Sequence, residues 1–255
     1  SVLTAKSRII FLGTGTSEGV PRVSCLTNPA SQCKVCPDAI KKGSPNRRRN
    51  TSILIQRQLA DGQTNNIVID AGKFFYEAAI QWFPKFKVEC IDALVITHAH
   101  AHAIGGLDDL RDWTNNTQES LPIYLRDADY KQVESVFYYL VDRTKKTGGG
   151  GVAKLNVKAI NESPFTIDGV PIIPLPVEHG KNREDLAIDL VQSVTYPSIG
   201  NICNETEWLA HSRLLITGLI EVEACWITGL NTNLGATNRV RDAVTIHRVA
   251  GCIVR

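Results

Sequence analysis

The sequence contains no methionine, even at its first position, so neither end of the string is read as an end of the protein. It also lacks any long apolar run. The longest, Ile91 to Thr97 and Val170 to Val177, fall far short of the roughly 20 residues a membrane span needs, and no membrane partner is expected. Ser1-Val2-Leu3-Thr4-Ala5-Lys6 has no apolar core, so it is not expected to be a secretory signal. Charge of one sign is scarce: 28 basic against 26 acidic residues leave +2, which argues against a general nucleic-acid or membrane surface. Low complexity is confined to Gly148 to Gly151, expected to be a flexible loop, and no repeat is visible. Seven cysteines is an odd number, and Cys90, Cys203, Cys225 and Cys252 lie far apart. A disulfide framework is normally denser and even-numbered, so a reducing compartment, the cytoplasm, is expected.

What is present is material for a core. At about 150 residues per domain, 255 residues make one or two domains. A hydrophobic share of 43% with 21% charged excludes disorder and coiled coil. Short runs rich in Ile and Val predict strands over Arg8 to Leu12, Thr51 to Gln56, Asn66 to Asp70, Ala93 to Thr97 and Pro122 to Leu125. Further strands are predicted over Leu155 to Ile160, Val170 to Val177, Ala187 to Tyr196 and Arg213 to Thr217. Phe74 to Phe83 and Asp129 to Arg143 carry the spacing of amphipathic helices. Strands alternating with helices predict a layered α/β protein with helices on sheet faces.

The sharpest chemical feature is Thr97-His98-Ala99-His100-Ala101-His102, half of the six histidines in the chain. It lies where a strand ends and a Gly-Gly loop begins, the edge at which open α/β sheets carry their sites. In extended backbone, side chains two apart share a face, so the three imidazoles are expected to converge. Imidazole suits zinc, iron, nickel or copper better than magnesium or calcium. Gly13-Thr14-Gly15 is not a dinucleotide fingerprint, which needs glycine where Glu18 stands; a tight turn beside the metal site is expected.

Several stretches together resemble the metallo-β-lactamase fold superfamily. They are Gly13-Thr14-Gly15-Thr16-Ser17-Glu18-Gly19-Val20-Pro21, Ile67-Val68-Ile69-Asp70-Ala71-Gly72 and Val95-Ile96-Thr97-His98-Ala99-His100. Gly105-Gly106-Leu107-Asp108-Asp109-Leu110-Arg111 and Pro176-Val177-Glu178-His179-Gly180 resemble its phosphodiesterase-type branch, which is related to the tRNA 3′-processing nucleases. Asn46-Arg47-Arg48-Arg49-Asn50-Thr51-Ser52 resembles the eukaryotic hydrolase-like members. The resemblance implies a four-layer αββα sandwich, one domain over residues 1–255 with a cysteine-bearing insertion at about 22–45. It implies His98, His100 and His179 as metal ligands and Asp70 as support of the metal loop. The implied activity is phosphodiester hydrolysis by a metal-activated water. Zinc is the expected metal, with manganese or iron as alternatives at the histidines.

The departures are specific. His102 and Ala103 stand where the family carries Asp and, in many members, His, which weakens a two-metal site but leaves His102 as a candidate ligand and catalytic residue. Ile199 follows Tyr196-Pro197-Ser198 in place of a bridging Asp, and Gly218 and Gly229 replace further site residues. The family's closing histidines would fall past Arg255, and His247 is expected at the surface.

Cys25, Cys33 and Cys36 are expected to hold a structural zinc, since Cys33-Lys34-Val35-Cys36-Pro37 has the knuckle spacing. The fourth ligand is open, with His211 or His247 as candidates. Arg111, with Arg48 and Arg49 in the cluster begun by Arg47, is expected to bind substrate phosphate, because the guanidinium fork matches phosphate oxygens. The expected partner is a small phosphodiester or nucleotide; no basic, aromatic-rich arm for extended nucleic acid is evident, and a homodimer is left open. The competing reading is a catalytically impaired binding or scaffold protein of the same fold. Thioester hydrolysis, also common in the superfamily, is compatible with these residues.

Overall fold

The computed structural model describes residues 7–59, 61–142, 144, 151–178, 184–191, 214–217, 221–222 and 244–246. Its strands are β1 (Ser7–Gly13), β2 (Ser52–Gln58), β3 (Thr64–Ile69), β4 (Ala93–Val95), β5 (Leu121–Arg126) and β6 (Leu155–Ile160). There follow β7 (Phe165–Ile167), β8 (Val170–Glu178), β9 (Glu184–Val191), β10 (Leu214–Thr217), β11 (Glu221–Val222) and β12 (Val244–Ile246). The helices are α1 (Val23–Thr27), α2 (Val35–Ala39), α3 (Phe75–Phe86), α4 (Ala101–Ile104), α5 (Arg111–Asn116), α6 (Asp127–Val136) and α7 (Tyr138–Val141).

Strand alternation builds the layers. Along β1 to β4, Ile9, Ile53, Ile67 and Val95 face one way, while Ile10, Leu54, Val68 and Leu94 face the other. Successive side chains of a strand point to opposite faces, so this one sheet seals two cores. The first face meets Ile167, Val170 and Ile172 of β7 and β8, which makes it the seam between two sheets. The second takes Phe75, Trp82 and Phe83 of α3 together with Val133 of α6 and Leu140 of α7. Each such side chain, fully buried, contributes roughly 1.5–3 kcal/mol.

The larger sheet has the order β11-β1-β2-β3-β4-β5-β6 and the smaller β12-β10-β9-β8-β7. This is a mixed α/β architecture of two facing sheets with helices packed on the larger one, as the layered α/β reading of the sequence implied. The second outer helical layer expected of a four-layer sandwich lies outside the described residues. So do Gly148 to Gly150 of the glycine run and residues 192–196 of the strand expected to reach Tyr196.

Strands β3, β4, β5 and β6 run parallel. Their carboxyl ends therefore share an edge, and the chain leaving β3, β4 and β5 meets there. Two predicted elements differ. The strand expected over Ala93 to Thr97 ends at Val95, although Ile96 still donates its N–H to Tyr124 O at 2.8 Å. The helix expected over Asp129 to Arg143 is two helices, α6 and α7, broken at Phe137, whose backbone (φ −118°, ψ 45°) is not helical.

Candidate metal centre

The chain leaves β4 into the histidine motif and turns at once. His100 is extended (φ −84°, ψ 152°) and caps α4, while His102 lies inside that helix. The imidazoles therefore do not converge by strand alternation alone, as expected from the spacing; one turn of helix swings the third ring back over the first two. The ring centroids of His98 lie 4.8 Å from His100 and 4.6 Å from His102, and those of His100 and His102 are 5.5 Å apart. His98 and His102 are buried and His100 is half-buried.

A turn of this sharpness needs close backbone approach. A Cβ on Gly72 would sit 2.0 Å from His102 O, and one on Gly106 would sit 2.6 Å from Gly72 O. Glycine at both positions lets the loop after β3 lie against α4, tied by Ala71 N to Ala103 O (2.7 Å) and Gly106 N to Ala71 O (2.8 Å). Asp70 leaves β3 in the left-handed region (φ 59°), which aspartate tolerates better than most residues. This directs its buried carboxylate at the β4 exit, where Oδ1 accepts from Thr97 N (2.8 Å) and Oδ2 from Thr97 Oγ1 (2.7 Å). Thr97 Oγ1 in turn lies 2.9 Å from His98 Nδ1. Asp70 thus reaches the imidazoles through Thr97.

The donor sets fit metal ions. One ligand atom from each of His98, His100 and His102 lies within 4.8 Å of the others, and the same holds for Cys25, Cys33 and Cys36. Two nitrogens on one tetrahedral zinc stand about 3.3 Å apart, given Zn–N bonds near 2.0–2.1 Å. The Nε2 atoms of His98 and His102 are 2.8 Å apart, so a shift of about half an ångström opens the space. His179 lies outside the described residues, as do the departures at Ile199, Gly218 and Gly229 and the candidate ligands His211 and His247.

The cysteines come together between β1 and β2, where Cys25 lies in α1, Cys36 in α2 and Cys33 just before α2. Backbone N–H groups of Cys36 and Val35 point at the Cys33 sulfur and hold its thiol down to about 7. Burial pushes the Cys36 thiol up, although Arg22 N donates to its sulfur at 3.4 Å. Backbone N–H donors aimed at sulfur stabilise thiolate, the form that binds metal.

The arginines have other partners in this structure. Arg111 pairs with Asp108 at 3.2 Å and is half-exposed. Arg48 folds back, its Nη1 donating to the carbonyls of Pro45 and Arg47. Arg49 is mostly buried, 3.6 Å from Glu77 Oε2, and burial lowers its pKa against the pull of that carboxylate. Arg47 reaches the same carboxylate at 2.7 Å.

Sequence reasoning missed two residues that hold this edge together. Asn50 is buried, and its Nδ2 donates to Thr16 O (2.9 Å) and Ser17 O (3.2 Å), fastening the glycine-rich loop beside Gly72. Asp129 accepts from Ala99 N at 3.1 Å, between His98 and His100. Thirty positions in sequence separate it from the motif, and no local pattern marks it.

Two facing sheets with a histidine cluster at the carboxyl edge of parallel strands define a metallo-β-lactamase-type protein. The comparisons agree: residues 65–202, over half the chain, match the model of the Beta-lactamase superfamily domain, and the chain belongs to that superfamily. It is similar to an octanoyltransferase of Porphyromonas gingivalis, 29% identical over 181 residues, which are 68% of this chain and 31% of that protein. Among solved structures it is similar to a new diphosphatase from the PhnP family, with 26% identity and a TM-score of 0.56, covering 72% of this chain and 61% of that one. The chain thus spans less than two thirds of the length of either. Among the described residues, no helix is long and apolar enough to cross a membrane.

Proposed function

We propose that the chain is a metal-dependent hydrolase of phosphodiester bonds in a small substrate such as a nucleotide. The observation that carries this reading is the group of three imidazoles within 4.8 Å, with His98 held through Thr97 by Asp70. The likeness to a PhnP-family diphosphatase supports phosphorus chemistry. The octanoyltransferase name belongs to a protein of which the match spans 31%, so it carries no argument here. The arginine-rich stretch Asn46 to Ser52 supports the eukaryotic hydrolase-like branch, and the scattered cysteines support a reducing, cytoplasmic setting.

In this proposal His98, His100 and His102, joined by His179, hold one zinc, manganese or iron ion. Such an ion supplies a Lewis acid for a phosphoryl oxygen and acidifies a water. Thr97 and Asp70 fix the His98 ring, a partnership that orients metal-binding imidazoles. Arg111, Arg48 and Arg49 bind the phosphate and the charge that develops on it. Cys25, Cys33 and Cys36 hold a structural zinc apart from the chemistry.

A second reading, a catalytically impaired scaffold of the same fold, is favoured by one observation. The histidine group contains no carboxylate among the described residues, and His102 occupies the position where the family's Asp serves a second ion.

The test is metal content of protein purified without added metal, with hydrolysis of bis(p-nitrophenyl) phosphate in added zinc or manganese. The wild type should hold about two equivalents, one per cluster, and a His98→Ala/His100→Ala variant about one. Hydrolysis should vanish in that variant. Equal metal content in the two proteins overturns the metal centre. Unequal content without hydrolysis overturns the enzyme reading in favour of the scaffold.

A further inference from the structure

The residue that closes the other side of the histidine loop comes from α6. Asp129 stands at the third position of that helix and is 2% exposed. Its Oδ1 accepts the N–H of Ala99 at 3.1 Å, and its Oδ2 accepts from Arg126 Nε at 3.0 Å. Arg126 ends β5 and is itself 17% exposed. The placement follows from topology, since β4 and β5 are parallel neighbours, so the start of α6 lies beside the exit of β4. Thr97 N is held by Asp70 and Ala99 N by Asp129. Two buried carboxylates therefore grip the backbone on either side of His98.

We infer that Asp129 is a positioning residue for the metal centre, its carboxylate fixing the Ala99 peptide so that His98 and His100 face one point. The inference rests on the metal-centre reading above. A carboxylate buried at this depth with a single purpose of stability would need only its arginine. Here one oxygen is committed instead to a loop N–H thirty residues away, between two candidate ligands. An ionised acceptor makes that hydrogen bond about twice as strong as a neutral one.

The test is Co²⁺ titration of the folded protein, read in the visible d–d bands of the histidine site, with urea denaturation in parallel. Asp129→Asn keeps an acceptor oxygen for Ala99 but loses the charge facing Arg126; Asp129→Ala loses both. Both variants should lose stability, whereas Co²⁺ affinity should fall about 10- to 100-fold in Asp129→Ala and be largely retained in Asp129→Asn. An Arg126→Met/Asp129→Leu double variant removes both members of the charge pair together with the acceptor. It should bind Co²⁺ as weakly as Asp129→Ala, and it carries the test if that variant does not fold. Wild-type affinity in the variants that lack the acceptor overturns the inference alone. Wild-type bands no stronger than those of His98→Ala/His100→Ala overturn the metal centre itself, and the inference with it.

Discussion

Asp70 and His98 are coupled through a single hydroxyl: Thr97 Oγ1 donates to Asp70 Oδ2 at 2.7 Å and lies 2.9 Å from His98 Nδ1. A hydroxyl has one proton to give. That proton goes to Asp70 Oδ2, so Thr97 Oγ1 has only lone pairs left for the ring and accepts in turn from His98 Nδ1–H. The relay therefore sets the His98 tautomer and leaves Nε2, the nitrogen turned toward His102, as the basic one.

Thr97→Val keeps the shape and removes the relay. It should lower Co²⁺ affinity about 10- to 100-fold and stability by about 1–3 kcal/mol, since Asp70 Oδ2 loses a buried partner. Thr97→Ser, which keeps the hydroxyl, should recover most of the affinity. Co²⁺ titration and urea melts on the three proteins check this, and equal affinity for Thr97→Val and wild type would refute the relay.

Gly72 carries the packing of the site. Its missing Cβ leaves room for His102 O, which would lie 2.0 Å away, and for the Cβ of Asn50 at 2.9 Å. The obstacle is mainly backbone, so Gly72→Ala must displace α4 or its own loop. A loss of about 1–3 kcal/mol or more is expected, with weaker metal uptake because His102 moves. A urea midpoint equal to that of the wild type would show that the loop yields freely.

The strands were legible as short apolar runs rich in Ile and Val, such as Ile53-Leu54-Ile55 within Ser52–Gln58. The four- and five-residue helices α1, α2 and α4 were not, since so short a segment shows no period. Phe137 broke the expected long helix without a glycine or proline to announce it. The histidine motif declared a site, yet its geometry depended on a switch from extended chain at His100 to helix at Ala101. Cys33 and Cys36 have the knuckle spacing, and the fold brings Cys25 within 4.8 Å of them. Asp129, by contrast, acts through tertiary proximity, which sequence spacing does not encode.

The first turn of α3 depends on a side chain from outside the helix. Phe74, at its cap position, makes no side-chain cap hydrogen bond. Burial and the Asp108 charge raise the pKa of the Asp109 carboxyl, and the nearby Tyr76 N–H of the first turn pulls it down. Asp109→Ala should cost about 0.5–2 kcal/mol, the usual loss for a helix cap, whereas Asp109→Asn should cost less. Urea denaturation of the two variants decides the matter, and an unchanged midpoint for Asp109→Ala would show that solvent serves that N–H equally well.

Asp92 gives a pH signature that is independent of the metal. Burial raises its pKa above the ordinary carboxylate value of 3.8, and the nearby charge of Asp168 pushes the same way, against the Asn66 N–H that Oδ2 accepts at 2.6 Å. The native state therefore binds this proton more tightly than the unfolded chain does. A raised carboxyl carries no penalty below the unfolded value, and its penalty grows as pH rises through the native one. Asp92→Asn keeps an acceptor for Asn66 N and cannot ionise. Relative to wild type it should gain stability as pH rises from about 3 to 7, the gain appearing above the ordinary carboxylate range and levelling off once native Asp92 is ionised. Urea midpoints of both proteins across that range provide the measurement. A difference that stays flat with pH, or that runs in the wild type's favour at neutral pH, would mean that the Asn66 hydrogen bond outweighs burial and the Asp168 charge.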